Sequence, residues 1–480
     1  DIAGEPVGNF DRFRGCTRRF IYPNIDFLGL SLLERPEPAH ESYRPHRRTG
    51  IRAREDYLAV SALSNTFISY LPRILTELMK IIKDPVHGYV EADELVLRLL
   101  DSGEVQRLRH ITQLGFANLV YPGANHTRFE HSLGTMHLAG IMCSKLGLDA
   151  GETRVVTTAA LLHDIGHGPF SHVTEPVMKE FAGRSHHQIE GIVGEGAIAG
   201  ILEDEGLDPA EVSAIVSGDH RLASIIHGSL DVDRMDYLMR DAHYTGVPYG
   251  TVDAHRLIRC SVLAGSGIAL HEGGINAAES LLIARTLMRP AVYFHHVSRI
   301  ATSMFVHALR EEVLNVPGAD AQELVRMDDA ACMERLKHSA HPITRDLACR
   351  VYIRDLYKRA LYVGGDRVNA AALQQDLGPA RERDLAIAIA ETAGIPEEEV
   401  LVDIPPLPTD LSMEVQVRNS HTMVDIEEVS PLINTLNDTR RQQWRLGVYT
   451  TRGNRQAVEQ AANEVLRVKR ATKQDKLVVT

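Results

Sequence analysis

From Met79 to about residue 365 the sequence places apolar residues three and four positions apart, most plainly over 104 to 113, 152 to 163 and 276 to 312. That spacing gathers apolar side chains on one stripe of a helix, whereas a strand would alternate with a period of two. Stripes of this kind must be buried against one another, so the expected fold is mainly α. One segment departs from it: "VLAGSGIALHEGGIN" (262 to 276) has a Gly-Ser-Gly turn between short apolar runs and reads as a small hairpin. After about residue 366 the texture changes. A helix "ERDLAIAIAETAG" leads to the strand-like pieces "VLVDIPPLPTD", "MEVQVR" and "QWRLGVYTT" and to a last helix "RQAVEQAANEVLRV", which predicts a smaller α+β lobe.

At 480 residues the chain exceeds what one ordinary core supports, so three parts are expected: 1–78, 79–365 and 366–480. The first is rich in Arg (Arg12, Arg14, Arg18, Arg19, Arg47, Arg48), has no Lys before Lys80, and is broken by proline and turn residues. It reads as a loosely ordered extension, with Met79 a candidate natural start. Five scattered cysteines without a CxxC pair suggest neither a disulfide framework nor a thiolate zinc site, and are expected to be small buried apolar groups. The formal net charge of −12 argues against nucleic acid as the main partner. No apolar run is long enough for a membrane span, and the start lacks a secretion signal, so a cytoplasmic protein is expected.

Chemistry concentrates in a few motifs. In "HTRFEHSLGTMHLAG", Thr127 and Glu130 form a capping box that opens a helix, placing Arg128 at its first position and His131 one turn later on the same face. A guanidinium and an imidazole at an electropositive helix start suit a phosphate. "ETRVVTTAALLHD" reads as a buried helix ending in His163 and Asp164, with Gly166 as the stop. His167 and His172 follow on the irregular "GHGPFSH", and Glu175 is spaced to orient His172, which makes the pair a candidate proton-transfer dyad. Ser185 and Gln188 read as a second capping box, putting His186 and His187 in the first turn of another helix. "LDVDRMDYLMRDAHYTG" is helical. Asp236 with Arg240 reads as an ion pair on a solvated face, whereas Asp233 and Tyr237 share a face suited to a fourth ligand and a substrate contact. Two imidazoles and two carboxylates leave octahedral positions open and suit Mn, Fe, Ni, Zn or Mg, with a second metal conceivable for phosphoryl chemistry.

The order H…HD…D, carried by "RFEHSLG", "HDIGHGPFSH" and "DVDRMDY", resembles the HD-domain phosphohydrolases, and within them the deoxynucleotide triphosphohydrolases that include the vertebrate enzyme with a sterile-alpha-motif domain. The likeness runs from "KDPVHGYVE" at 83 to about residue 310, and weakly to 362. It implies an HD-domain helical core in which His131, His163, Asp164 and Asp233 hold the metal. It further implies His172 as general acid, Glu175 as its orienting partner, and His167, His187 and Arg128 on the phosphates, or His167 and His187 on a second metal's water. Gln113, Leu114, Tyr237 and Asp241 would surround the sugar, and Arg285 and Tyr293 would grip the outer phosphates. Lys80, Asp101, Gln106 and Arg109 match the family's activator-nucleotide pattern, which implies a GTP or dNTP activator and a homo-oligomer, dimer or tetramer. Glu175 and Arg289 depart from it, standing where the vertebrate enzyme has Asp and His.

Singly, these residues have plainer readings. His126 and His137 suit packing or the surface, Tyr121 with Pro122 suits a turn, and "DSGEVQRLRH" alone is an ordinary amphipathic helix. Jointly they favour hydrolysis of deoxynucleoside triphosphates to deoxynucleoside and inorganic triphosphate. The rivals are an HD phosphodiesterase or nucleotidase acting on monophosphates or cyclic nucleotides, and a nucleotide-sensing protein without turnover.

Overall fold

The computed structural model describes residues 79–265, 267–368, 379–416 and 422–469, all within the compact unit Tyr70–Thr480. The extension expected over residues 1–78 lies outside the described residues.

The centre is helical, as the spacing predicts. Helix α1 (Arg128–Leu146) begins at the Thr127/Glu130 capping box and stops at Gly147, whose φ of 70° is the left-handed conformation glycine adopts without strain. Asp149 and Glu152 cap α2 (Ala150–Leu162), which packs along α1 and ends with His163 as its C-cap. Helix α3 (Glu175–Ala182) follows the "GHGPFSH" turn. Asp231 caps α4 (Val232–Thr245), accepting from the Arg234 N–H at 2.7 Å. Leu138, Met142, Leu161 and Leu162 are at most 1% exposed, and burying each such side chain contributes about 1.5–3 kcal/mol. Gly134 on α1 is required by packing, because a Cβ there would collide with Asp236 and Arg240 of α4.

The stretch 276 to 312 is not one helix. It divides into α5 (Ile275–Met288), a π turn over Arg289–Tyr293 and α6 (His296–Asn315). Pro290 supplies no N–H, and the Phe294 N–H instead reaches the Arg289 carbonyl at 2.7 Å. The stretch 104 to 113 is shorter than its spacing suggests, a helix over Gly103–Arg107 and a 3-10 turn over Leu108–His110. Ser185 and Gln188 do bond, the Ser185 N–H reaching Oε1 at 2.9 Å, but His186 and His187 lie in a turn and the next helix starts at Glu190. That local bond stabilises a turn as well as a helix start.

Strands appear where the helical pattern hid them. β1 (Lys80–Asp84) and β2 (Gly88–Ala92) form an antiparallel hairpin. The expected hairpin is present as β3 (Ser261–Ala264) and β4 (Gly267–His271). β5 (Lys358–Gly364), β6 (Val400–Asp403) and β9 (Arg445–Thr450) make a second sheet in the order β5-β9-β6, which straddles the boundary expected after residue 365. β7 (Glu414–Gln416) pairs in parallel with β4 and antiparallel with β8 (Met423–Asp425), so the C-terminal part extends the central hairpin. Helices α7 (Pro379–Ala393) and α9 (Arg455–Val465) pack together, and both pack on the second sheet. Between them in sequence lies α8 (Pro431–Gln443), whose Ile433 and Leu436 join the central core with Leu281 and Leu282 of α5.

Among the described cysteines, Cys143 and Cys332 are buried, Cys260 and Cys349 half-buried, and none is bonded to another. No described helix is long and apolar enough to cross a membrane.

Glu382 on α7 accepts the Ile404 N–H at 2.8 Å. Burial pushes its carboxyl up to about 7, the Ile404 N–H working against the rise and Asp403 adding to it. The folded chain therefore holds this proton more tightly than the unfolded one, where a glutamate titrates near about 4.3. Stability from this group is complete below that pH and is lost as pH rises through about 7. Between about pH 5.5 and 8 the wild type should lose on the order of 2 kcal/mol, a figure reduced for the residue's partial exposure. Glu382→Gln should remove that slope in urea titrations at several pH values, whereas parallel slopes for wild type and variant would contradict the burial.

Candidate active site

Three helix ends converge on one point. The first turn of α1 brings His131, the end of α2 brings His163 and Asp164, and the first turn of α4 brings Asp233. Nε2 of His131 lies 2.9 Å from Asp233 and 3.7 Å from Asp164. Nε2 of His163 lies 3.4 Å from Asp164 and 3.8 Å from Asp233. The two imidazoles stand edge to face at 75°, with centroids 5.2 Å apart.

The outer nitrogens are fixed from behind. His131 Nδ1 donates to Asp236 at 2.7 Å, and His163 Nδ1 to the Ala160 carbonyl at 2.7 Å, so both Nε2 atoms point inward. His163 Nε2 is buried without a hydrogen-bond partner. Burial disfavours charge on His131, yet hydrogen bonds to Asp233 and Asp236 push it up to about 10. Asp164 is held well below the usual carboxylate range, burial being outweighed by Arg128, His163 and His167. A centre that draws positive charge this strongly, with two nitrogen and two oxygen donors, fits a divalent cation.

Asp236 corrects the expectation of a solvated pair. It is 0% exposed, as is Arg240, which reaches it at 2.9 Å and continues to Asp84 at 2.9 Å. His87 completes the network, donating to Asp236 at 2.6 Å. The i,i+4 pair is as expected, but it lies under α1 and orients His131.

A second histidine group borders the first. Ligand nitrogens of His167, His172 and His186 lie within 4.8 Å of one another. Glu175 accepts from His172 Nδ1 at 3.0 Å and from His186 Nδ1 at 2.8 Å, and Lys179 is 2.8 Å away. Burial raises the Glu175 carboxyl, but His172 and His186 outweigh it and hold the group well below its usual range. Burial keeps His187 down to about 3 and His227 to about 4, with neighbouring imidazoles adding to both shifts. Gly166 allows the close approach that brings His186 here, since its Cβ would strike the His186 carbonyl. The spacing of His186 alone gives it no role in the chemistry; its adjacency to His187 in the sequence is the signal that points to it.

Two cavities of about 450 Å³ each share Gln113, Arg128, His172, Tyr237 and Arg285. The polar one holds His163, Asp164, His167, His187, Asp233 and Arg234. The more apolar one holds Leu114, Asp241, Tyr293 and Phe294. Gln113 Oε1 is buried without a partner, while Asp241 receives Tyr293 Oη–H at 2.7 Å and His126 Nε2 at 2.8 Å. His126 is thus a packing residue of this wall. Arg128 spans the group, 2.7 Å from both Asp164 oxygens and 2.8 Å from Ser171 Oγ. Of the activator expectations, Gln106 and Arg109 touch at 3.0 Å, Lys80 opens β1 and Asp101 caps the helix Glu94–Leu100.

Residues 128–241 match the HD domain, and residues 252–477 match the HD associated region. An uncharacterized protein of Methanocaldococcus jannaschii is 35% identical over 377 residues, 77% of this chain and 79% of that one. The deoxynucleoside triphosphate triphosphohydrolase SAMHD1 homolog of Dictyostelium discoideum is 30% identical over 334 residues, 62% of this chain and 64% of that one, so the match spans just under two thirds of that relative. The crystal structure of a hypothetical protein from Aquifex aeolicus matches with a TM-score of 0.65 and 32% identity, covering 81% of this chain and 100% of the other.

Proposed function

Because the chain belongs to the HD-domain family, as a metal-dependent phosphohydrolase with an HD associated region, we propose that it cleaves deoxynucleoside triphosphates to deoxynucleoside and inorganic triphosphate. The observation that carries this reading is that two neighbouring cavities, one polar and one apolar, share the wall formed by Gln113, Arg128, His172, Tyr237 and Arg285. A phosphate beside His163, Asp164 and Asp233 has a polar chamber on one side for its neighbours and an apolar chamber on the other for a nucleoside. The name and 30% identity of the Dictyostelium relative support the same substrate class.

His131, His163, Asp164 and Asp233 would hold the ion, whether Mn, Fe, Ni, Zn or Mg, and His167 and His187 would face the water of any second ion. When bound, a divalent ion supplies Lewis-acid polarisation of the phosphate and of a water. The chain's own groups do the rest. Arg128 neutralises the α-phosphate, with His167 and His187 beside it, and Arg234 and Arg285 take the outer phosphates. Gln113 and Asp241 hold the 3′-hydroxyl, Leu114 walls the sugar and Tyr237 crowds a 2′-hydroxyl; Tyr293, expected on the outer phosphates, lines the apolar chamber and bonds Asp241 instead, which puts it beside the sugar. Water attacks the α-phosphorus and loses a proton to solvent, the P–O5′ bond breaks to leave inorganic triphosphate, and His172, oriented by Glu175, gives O5′ the proton that completes the deoxynucleoside and regains one from solvent.

An activator nucleotide is supported by Gln106 and Arg109 in contact, with Lys80 and Asp101, and by a separate cleft of about 370 Å³ lined by Arg354, Lys358, Arg359, Arg452 and Arg455. Occupied between copies of the chain, such sites would tie activation to a dimer or tetramer.

The test is product chromatography after incubation of dNTPs and NTPs with each metal, with and without GTP. Intact inorganic triphosphate with deoxynucleoside is expected. Release of orthophosphate or pyrophosphate alone would favour the phosphodiesterase or nucleotidase reading, and ligand-dependent assembly without turnover would favour a sensor.

A further inference from the structure

The apolar chamber has one cationic wall that the reaction leaves unused. Arg289 of the π turn and Arg440 of α8 line it, together with Arg299. Arg299 is committed to Asp403, but no carboxylate lies within ion-pair distance of Arg289 or Arg440 among the described residues. The other two described arginines buried as fully, Arg128 and Arg240, each have one. In a chain with a net charge of −12, acids are not scarce.

Arg440 is 3% exposed and gives one hydrogen bond, from Nη1 to the Thr409 carbonyl at 2.7 Å. Its Nε–H and Nη2–H have no partner among the described residues. These two donors form the side of the guanidinium that matches a pair of adjacent acceptors. Its position is fixed: Ile433 and Leu436 anchor α8 in the core, Ser430 Oγ bonds Glu279 of α5 at 2.5 Å, and Asn437 accepts the Leu411 N–H at 2.7 Å. The Arg289 guanidinium carbon sits over the Phe294 ring, 4.1 Å from its centroid, so the wall combines a ring-held cation with a free donor fork.

A donor fork that lines a chamber and meets no protein acceptor is available to a ligand that supplies two acceptors. Phosphates are already served in the polar chamber by Arg128, Arg234 and Arg285. What reaches the apolar chamber is the base.

We propose that Arg440, backed by Arg289, selects the base by offering its Nε–H and Nη2–H to two neighbouring acceptors, and so favours 6-oxopurines, whose O6 and N7 match that fork. Adenine sets an amino group against the fork and cytosine does likewise, while thymine offers one carbonyl. The HD associated region thereby contributes a specificity residue to a site whose chemistry resides in the HD domain. This rests on the reading of the substrate as a nucleotide.

The test compares dGTP, dITP, dATP and 7-deaza-dGTP as substrates, and deoxyguanosine with deoxyadenosine as ligands in calorimetry. For the holoenzyme, kcat/KM should favour dGTP and dITP over dATP by at least about tenfold, with 7-deaza-dGTP intermediate. Arg440→Gln should level the ratio by raising KM for dGTP at least about tenfold more than KM for dATP. Arg440→Lys, which keeps the charge but loses the fork, should level it as well. A wild-type ratio near one, or equal losses on every dNTP in the variants, overturns the proposal. Nucleoside binding separates the two readings. Preference for deoxyguanosine without dNTP cleavage sinks the proposed reaction and keeps the base selection, whereas dNTP cleavage without base preference does the reverse.

Discussion

Replacing Asp236 with alanine is expected to destabilise the protein by about 3–5 kcal/mol, because it leaves the fully buried Arg240 with half of its carboxylate partners. The loss follows from burial: the same i,i+4 pair on a solvated face would be worth roughly 0.3–0.5 kcal/mol. Asp236 also accepts from His131 Nδ1 and His87 Nε2, so its removal frees His131 to rotate. Metal affinity should fall about 10–100-fold in whatever fraction remains folded, as for other groups that orient a ligand from behind. Urea denaturation monitored by circular dichroism reads the first effect and metal titration the second. A destabilisation below about 1 kcal/mol would place Asp236 at the surface. Asp236→Ala combined with Arg240→Met should recover only part of the lost stability: it removes the unpaired buried guanidinium but leaves the buried Asp84 carboxylate with the Val86 and His87 N–H groups alone.

His163→Ala is expected to lower phosphohydrolase turnover by about 10³-fold or more and to leave the chain folded. The ring is 3% exposed, its Nδ1 bonds a carbonyl of its own helix, and its Nε2 has no protein hydrogen bond to lose. The fold therefore gives up about 1 kcal/mol of hydrogen bonding and some packing. Metal content measured on the purified variant should drop from about one ion per chain towards zero. Turnover within about tenfold of wild type would remove His163 from the ligand set.

These expectations differ in how far the sequence foretells them. His131, His163, Asp164 and Asp233 were legible because each sits at a helix end marked by local chemistry: the Thr127/Glu130 box, the adjacent His-Asp before Gly166, and the Asp231 cap. A helix end is a local property, and three of them meet here. The environment of Asp236 and Arg240 was not legible. Four-residue spacing pairs charges identically in water and in a core, and only the packing of α4 on α1 decides which applies. His186 was misread for a related reason, because the bond between Ser185 and Gln188 serves a turn as readily as a helix start. The hairpin β1–β2 is hard to read from the sequence although Asp84 and Pro85 sit at its bend, since its short runs merge with the surrounding helical pattern. Nothing near Arg440 in the chain announces a pocket. It reaches Arg289 through tertiary packing of α8 on α5.

The central claim is that His131, His163, Asp164 and Asp233 share one divalent cation. Anomalous diffraction from crystals grown with Mn, recorded on either side of the metal's absorption edge, addresses it directly. The account predicts a peak about 2.0–2.3 Å from Nε2 of His131, Nε2 of His163 and one oxygen each of Asp164 and Asp233. A fully occupied peak bound only by His167, His172 and His186, with none between the four, would contradict it.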